Sequence, residues 1–169
     1  SDLISYRLHR ESLVTRTAEA KVPSRIAGDL QGITYRSKIH SVEHLALVKG
    51  DVSHGGPVLV RVQAESTVSD VFGGGPRNSR SLLQSSLKAI AKRGSGVVLY
   101  LRRPSIHDGT GEARLQHPGE QPLHRARMMR EYGVGAQILR DLGVSKIEVL
   151  SSSSKSLSGL ASFGLTIVS

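Results

Sequence analysis

Residues 61–81, RVQAESTVSDVFGGGPRNSRS, hold the densest set of side chains able to do chemistry. An apolar strand pattern, PVLVRV, enters the segment, and a helical pattern leaves it near Ser81, with three consecutive glycines between. Glycines ahead of a helix start can hold an anion through free backbone N–H groups. The same residue types also build plain turns. A phosphate loop of the GxxxxGK[ST] kind needs a lysine that is missing here, and the GxGxxG fingerprint is absent too.

The remaining candidates are sparser. His40 and His44 stand four apart, but they fall where a strand begins and no third ligand accompanies them. His107, His117 and His124 lie in a loop-like stretch with no zinc-type spacing. No GxSxG nucleophile elbow occurs. Arg130, Glu131 and Tyr132 share one helical pattern and either face a pocket or form a structural face. SSSSKS follows a strand at its C-terminal end, where open α/β sheets place ligands. Ser151 and Lys155 there suit a phosphate, and equally a polar turn.

Composition bounds these options. The chain has 169 residues, enough for one domain with its own core. It has no cysteine, which excludes disulfides and thiolate metal sites. Its net charge of +9 is compatible with anionic metabolites, acidic partners or nucleic acid. The basic residues are scattered, however, and aromatics make up only 4%, which argues against a base-stacking platform. No run approaches the ~18 apolar residues of a membrane helix.

The elements that must position these residues follow from pattern. Residues 1–11 predict a helix capped by Ser1, and residues up to Ala20 read as a linker. Pro23, Gly28 and Gly32 punctuate a connecting stretch. Residues 44–49 and 57–63 predict strands joined as a hairpin through GDVSHGG. Leu82, Leu83, Leu87, Ile90 and Ala91 have helical spacing, closed by Arg93 and Gly94. Residues 96–101 predict a strand buried on both faces. Residues 102–124 read as a long loop, residues 125–142 as a helix stopped by Gly143, and residues 146–150 and 165–168 as strands. The later half thus alternates strand and helix, implying α/β with a partly parallel sheet, while the earlier half reads as antiparallel.

RSKIHSVEHLALVKGDV, PVLVRVQAES, GVVLYLR, REYGVGAQILRDLGVSKIEVL and SSSSKSLSGLASFGLTIV together resemble GTP cyclohydrolase II across residues 21–169. The opening SDLISYRLHRESLVTRTAEAKVP resembles the junction that joins a 3,4-dihydroxy-2-butanone 4-phosphate synthase domain to the cyclohydrolase domain in fused riboflavin-pathway proteins. The wording YRSKIHSVEHLALVKGD is most similar to plant plastid versions. The resemblance implies a mixed sheet with helices packed on it, in an α/β/α arrangement. It implies residues 1–20 as a linker helix from an upstream synthase domain, residues 21–169 as the cyclohydrolase-like domain, and a truncated C-terminus. It further implies a homodimer, a plastid-stroma location (otherwise cytoplasmic), and an upstream domain in the same chain that would carry any magnesium.

That family hydrolyses GTP to a diaminopyrimidine nucleotide, formate and pyrophosphate, with zinc held by cysteines in RVHSECLTGD…CDCG. Here the corresponding positions are Ser66, Arg77 and Ser79. Hydroxyls are poor substitutes for thiolates, and an arginine cation repels a dication. The expectation is a domain without zinc or other cofactor, hence without the activated hydroxide that opens the imidazole ring. The family's EGR corresponds to Ser105, Ile106 and His107, and its carboxylate base to Met128. Its TNNPKK loop reads SSSSKS, leaving Ser151 and Lys155 as partial survivors. Arg61 and Glu65 keep the ends of the substrate-binding RVHSE, and Arg130 keeps the nucleophile position, idle outside a complete site.

The resulting expectation is a riboflavin-pathway domain that has lost GTP hydrolysis and binds GTP weakly or not at all. It would serve a structural, dimerisation or regulatory role, with neither membrane nor nucleic acid as partner. The alternatives are residual cyclohydrolase activity or GTP binding, and a basic nucleotide or nucleic-acid binding module.

Overall fold

A computed structural model describes residues 13–38, 42–74, 78–102, 122–150 and 160–168, with backbone alone over 122–130. The helix expected over residues 1–11, the interior of the loop expected at 102–124, and the serine run lie outside them.

The chain enters as β1 (Val14–Ser24) and turns back as β2 (Gly28–Ser37). Ser24 Oγ accepts hydrogen bonds from the N–H groups of Ile26 (3.2 Å) and Ala27 (3.1 Å), closing the turn. Two expectations are corrected here. Residues 14–20 are strand, not linker, and residues 28–37 are strand, not connection. Residues 15–21 are exposed, so β1 shows no apolar alternation and is held by its ladder to β2. In β2 the buried Leu30, Ile33 and Tyr35 are interrupted by Gly32, where an added Cβ would meet Val22 Cγ2 at 2.7 Å. That glycine marks a close approach of two strands rather than a break.

β3 (Glu43–Lys49) adds antiparallel to β2. β4 (Val58–Ala64), α1 (Thr67–Asp70), α2 (Ser79–Arg93) and β5 (Gly96–Leu101) follow. The hairpin expected between the strands predicted at 44–49 and 57–63 does not form, because β5 lies between β3 and β4. β5 pairs antiparallel with β3 and parallel with β4. Its GVVLYL is apolar on both faces, which suits an interior place in the sheet and not an edge. The return from α2 depends on Gly94, the left-handed C-cap at φ 87°, whose N–H donates to Ile90 O.

α3 (Pro122–Asp141), β6 (Lys146–Val149) and β7 (Thr166–Ile167) complete the fold. α3 begins at Pro122, ahead of the expected 125, with the proline in the first turn, where its missing N–H costs nothing. The sheet order is β1-β2-β3-β5-β4-β6-β7, antiparallel through β3/β5 and parallel from β5 through β7. The antiparallel-then-parallel reading of the two halves is the observed one.

Helices cover both faces, so the layers are α/β/α. On one face Val58, Val60, Val97, Leu99 and Leu101 pack with Ile138 and Leu139 of α3. On the other, Leu59 and Val98 pack with Ile90 of α2 and a ring of half-buried leucines. Alternation along a strand then decides the place of the polar residues. Arg61 and Gln63 share the face of Leu59, and Tyr100 shares that of Val98. All three therefore point to the α2 side, where the C-terminal ends of β4 and β5 meet α1.

Candidate functional site

Gln63 and Tyr100 are paired neighbours on adjacent parallel strands, and both reach Asp70 at the end of α1. Tyr100 OH donates to Asp70 Oδ2 at 2.6 Å, and Gln63 Nε2 donates to Oδ1 at 2.8 Å. The backbone N–H of Ser66 donates to Oδ2 at 3.0 Å. Ser79 Oγ, at the first turn of α2, lies 2.5 Å from Oδ1 and 2.6 Å from Ser69 Oγ. A hydroxyl has one proton, and the carboxylate is the stronger acceptor for it. Burial and then the Asp70 carboxylate push the Tyr100 phenol well above its ordinary range, so it stays a donor.

Arg61 lies behind this cluster, 9% exposed. Its Nη1 donates to Leu150 O at 3.0 Å and its Nη2 approaches Gln63 Oε1 at 3.4 Å. Its Nε is buried with no hydrogen-bond partner among the described residues. Burial lowers the guanidinium's proton affinity, and the charge of Asp70 opposes that shift. Glu65 sits at the strand exit, its N–H bonded to Leu101 O at 2.8 Å and its carboxylate 3.7 Å from Arg102 Nε. Beside it opens a depression of about 440 Å³, bordered by Glu43, His44, Glu65, Thr67, Tyr100 and Arg102. His44 is buried, and its Nδ1 accepts the Arg102 N–H at 3.0 Å, pinning β3 to the exit of β5. That bond gives His44 a structural task; His40 lies outside the described residues.

The structure therefore brings together Arg61, Glu65, Ser66 and Ser79 of the expected site residues. Arg77, Ser151 and Lys155 lie outside the described residues, and Arg130 is placed on α3 by its backbone alone. Asp70, Gln63, Ser69 and Tyr100 were not singled out by sequence reasoning. For Gln63 and Tyr100 the signal was a polar group at an inward position of an otherwise apolar strand, Gln63 being 3% exposed; Ser69 and Asp70, on α1, carried no such pattern.

A resident zinc does not fit this donor set. The Ser79 hydroxyl is committed to Asp70 and Ser69, and Ser66 offers a neutral hydroxyl. Among the described residues no group of three or more His, Cys, Asp or Glu side chains could hold a metal ion.

A second polar cluster stands on the opposite face of the sheet. Tyr35 OH donates to Asp141 Oδ2 at 2.6 Å, and Arg16 reaches the same oxygen through Nε (3.1 Å) and Nη2 (2.7 Å). Burial raises the Tyr35 phenol, with the Asp141 bond adding to it. Burial also pushes the Asp141 carboxyl up, but the bonds from Tyr35 and Arg16 outweigh it and hold the group below its ordinary value. Nearby, Leu13 N–H donates to Gln137 Oε1 at 2.6 Å, tying the entry of β1 to α3.

Comparison with known proteins covers the whole described fold. The family model for GTP cyclohydrolase II matches residues 15–169. Riboflavin biosynthesis protein RibBA of Bacillus cereus is 38% identical over 177 residues, covering 99% of this chain and 44% of the relative. The probable bifunctional riboflavin biosynthesis protein RIBA 2, chloroplastic, of Oryza sativa subsp. japonica is 37% identical over 182 residues, covering 99% of this chain and 32% of the relative. Among solved structures, RibBX, a two-domain 3,4-dihydroxy-2-butanone 4-phosphate synthase from A. baumannii, superposes with a TM-score of 0.65 at 30% identity, over 99% of this chain and 44% of that one. The chain thus spans less than half the length of these relatives.

Proposed function

The chain belongs to the GTP cyclohydrolase II family, and we propose that it is a member that has lost GTP hydrolysis and persists as a structural domain of a riboflavin-pathway protein. The observation that carries this reading is the state of the metal positions. Ser66 and Arg77 stand at two of them, and at the third the Ser79 hydroxyl is bonded to Asp70. Ring opening of GTP in this family needs a metal-activated hydroxide, and nothing in the described corner supplies one. The sheet formed by the described residues, by contrast, is continuous from β1 to β7.

The partner in this reading is a 3,4-dihydroxy-2-butanone 4-phosphate synthase domain in the same polypeptide, ahead of β1. The names of the bifunctional relatives support it, as does the solved neighbour, which is named for the synthase activity although it has two domains. The domain's role is then to brace that partner and to hold a homodimer together. A plastid location is favoured by the chloroplastic rice relative.

The test is chemical. Purified chain is incubated with GTP, magnesium and zinc, and formate and pyrophosphate are measured. Release at the level of a no-protein blank is expected, together with substoichiometric zinc by elemental analysis. Formate release well above blank would overturn the reading.

A further inference from the structure

α1 has four residues, too short to hold itself in water. Its N-cap, Ser66, makes no side-chain cap, and neither does Asn78 ahead of α2. Both helix starts thus lack the usual fastening. The same carboxylate reaches both. Ser66 N–H donates to Asp70 Oδ2, and the Ser79 hydroxyl donates to Oδ1. Two strands reach it as well, β4 through Gln63 and β5 through Tyr100.

Each of the four donors comes from a different segment: a strand, its neighbour, the loop entering α1, and the first turn of α2. A closed structural metal site does the same job by drawing four ligands onto one centre. The electrostatics favour an anion here. The N-terminus of α2 carries a partial positive charge, and Arg61 is a buried cation whose neighbour in charge is Asp70.

We propose that Asp70 is the fastener of the β4–α2 connection, a chain-borne anion that gathers by hydrogen bonds the segments a bound cation would gather by coordination, so that this corner folds without any metal. The proposal rests on the reading that the three former ligand positions hold no zinc.

The experiment is thermal unfolding of the full chain by circular dichroism, with and without EDTA, for wild type and Asp70→Asn. EDTA is expected to move the wild-type Tm by less than about 1 °C, and Asp70→Asn to lower it by roughly 5–10 °C. Amide exchange at Ser66 is expected to quicken at least about tenfold more than at the β4 and β5 ladders, as local opening requires. An unchanged Tm in Asp70→Asn would overturn the fastener alone. A fall in wild-type Tm with EDTA would overturn the fastener and the zinc-free reading together.

If Asp70→Asn yields no folded protein, Tyr100→Phe and Ser79→Ala decide. Joined through one carboxylate, they should be non-additive when combined, and strictly additive shifts would overturn the proposal.

Discussion

The Asp70 corner and the Asp141 clasp are built from the same pair, a tyrosine hydroxyl 2.6 Å from an aspartate oxygen, on opposite faces of one sheet. They differ in what surrounds them. Asp141 sits at the rim with a side chain 45% exposed, its second partner an arginine in water. Behind it lies the larger apolar cluster, with Val134, Ala136, Ile138 and Leu139 of α3 packed on the sheet. Asp70 receives neutral donors and lies before a small cluster whose buried members are Leu59, Ile90 and Val98. The layer with much apolar burial needs little polar fastening. The layer with little burial depends on it.

Four measurements can break or sharpen that contrast. The largest effect is expected from Leu139→Ala, which empties a fully buried site under α3; a loss of about 3–4 kcal/mol by urea unfolding is expected. Leu87→Ala, half-buried on the inner side of α2, should lose only about 1 kcal/mol, and equal losses would refute the unequal cores.

Next comes Asp70→Ala, which strands the Tyr100, Ser79, Gln63 and Ser66 donors together and should lose about 3 kcal/mol. Asp141→Ala removes a rim acceptor whose Arg16 partner turns to water, leaving the Tyr35 hydroxyl as the buried donor affected, and should lose less, about 1 kcal/mol. A reversed order of the two aspartates would sink the comparison.

The third effect is pH dependence. The Asp141 carboxyl is held below its ordinary value in the fold. Its contribution is therefore fully present above the unfolded value, about 3.9, and is lost as pH falls through the lower folded value. Urea midpoints taken between pH 6 and about pH 3 should fall less steeply in Asp141→Asn than in wild type. Identical slopes would show that the clasp carries no linked charge.

The smallest expected effect is none. Added zinc should leave the melting curve unchanged, since neither face offers a described metal site. A concentration-dependent rise in Tm would contradict this.

Much of the architecture could be read from pattern. Helical spacing over residues 82–93 and the glycine after it predicted α2 and its cap, because both are local signals. GVVLYL announced a strand buried on both faces, and it is one. β1 could not be read this way, because an exposed strand shows no periodicity and exists only through its partner. The hairpin expected between the strands flanking GDVSHGG failed for the complementary reason. Proximity in sequence favours pairing, but β5 had more apolar surface to bury and took the place between them.

At the site, sequence showed that no cysteine is present and could not show which polar residues gather there. Ser66, Arg77 and Ser79 are residue types, and types alone decide whether thiolates are present. The sequence by itself therefore determined the family, the alternation of the later half and the absence of any cysteine ligand. Only the tertiary structure decided that Gln63, Ser66, Ser79 and Tyr100 converge on Asp70. The physical reason is that convergence depends on register. Gln63 and Tyr100 lie 37 positions apart in the chain and become neighbours through the parallel pairing of β4 with β5.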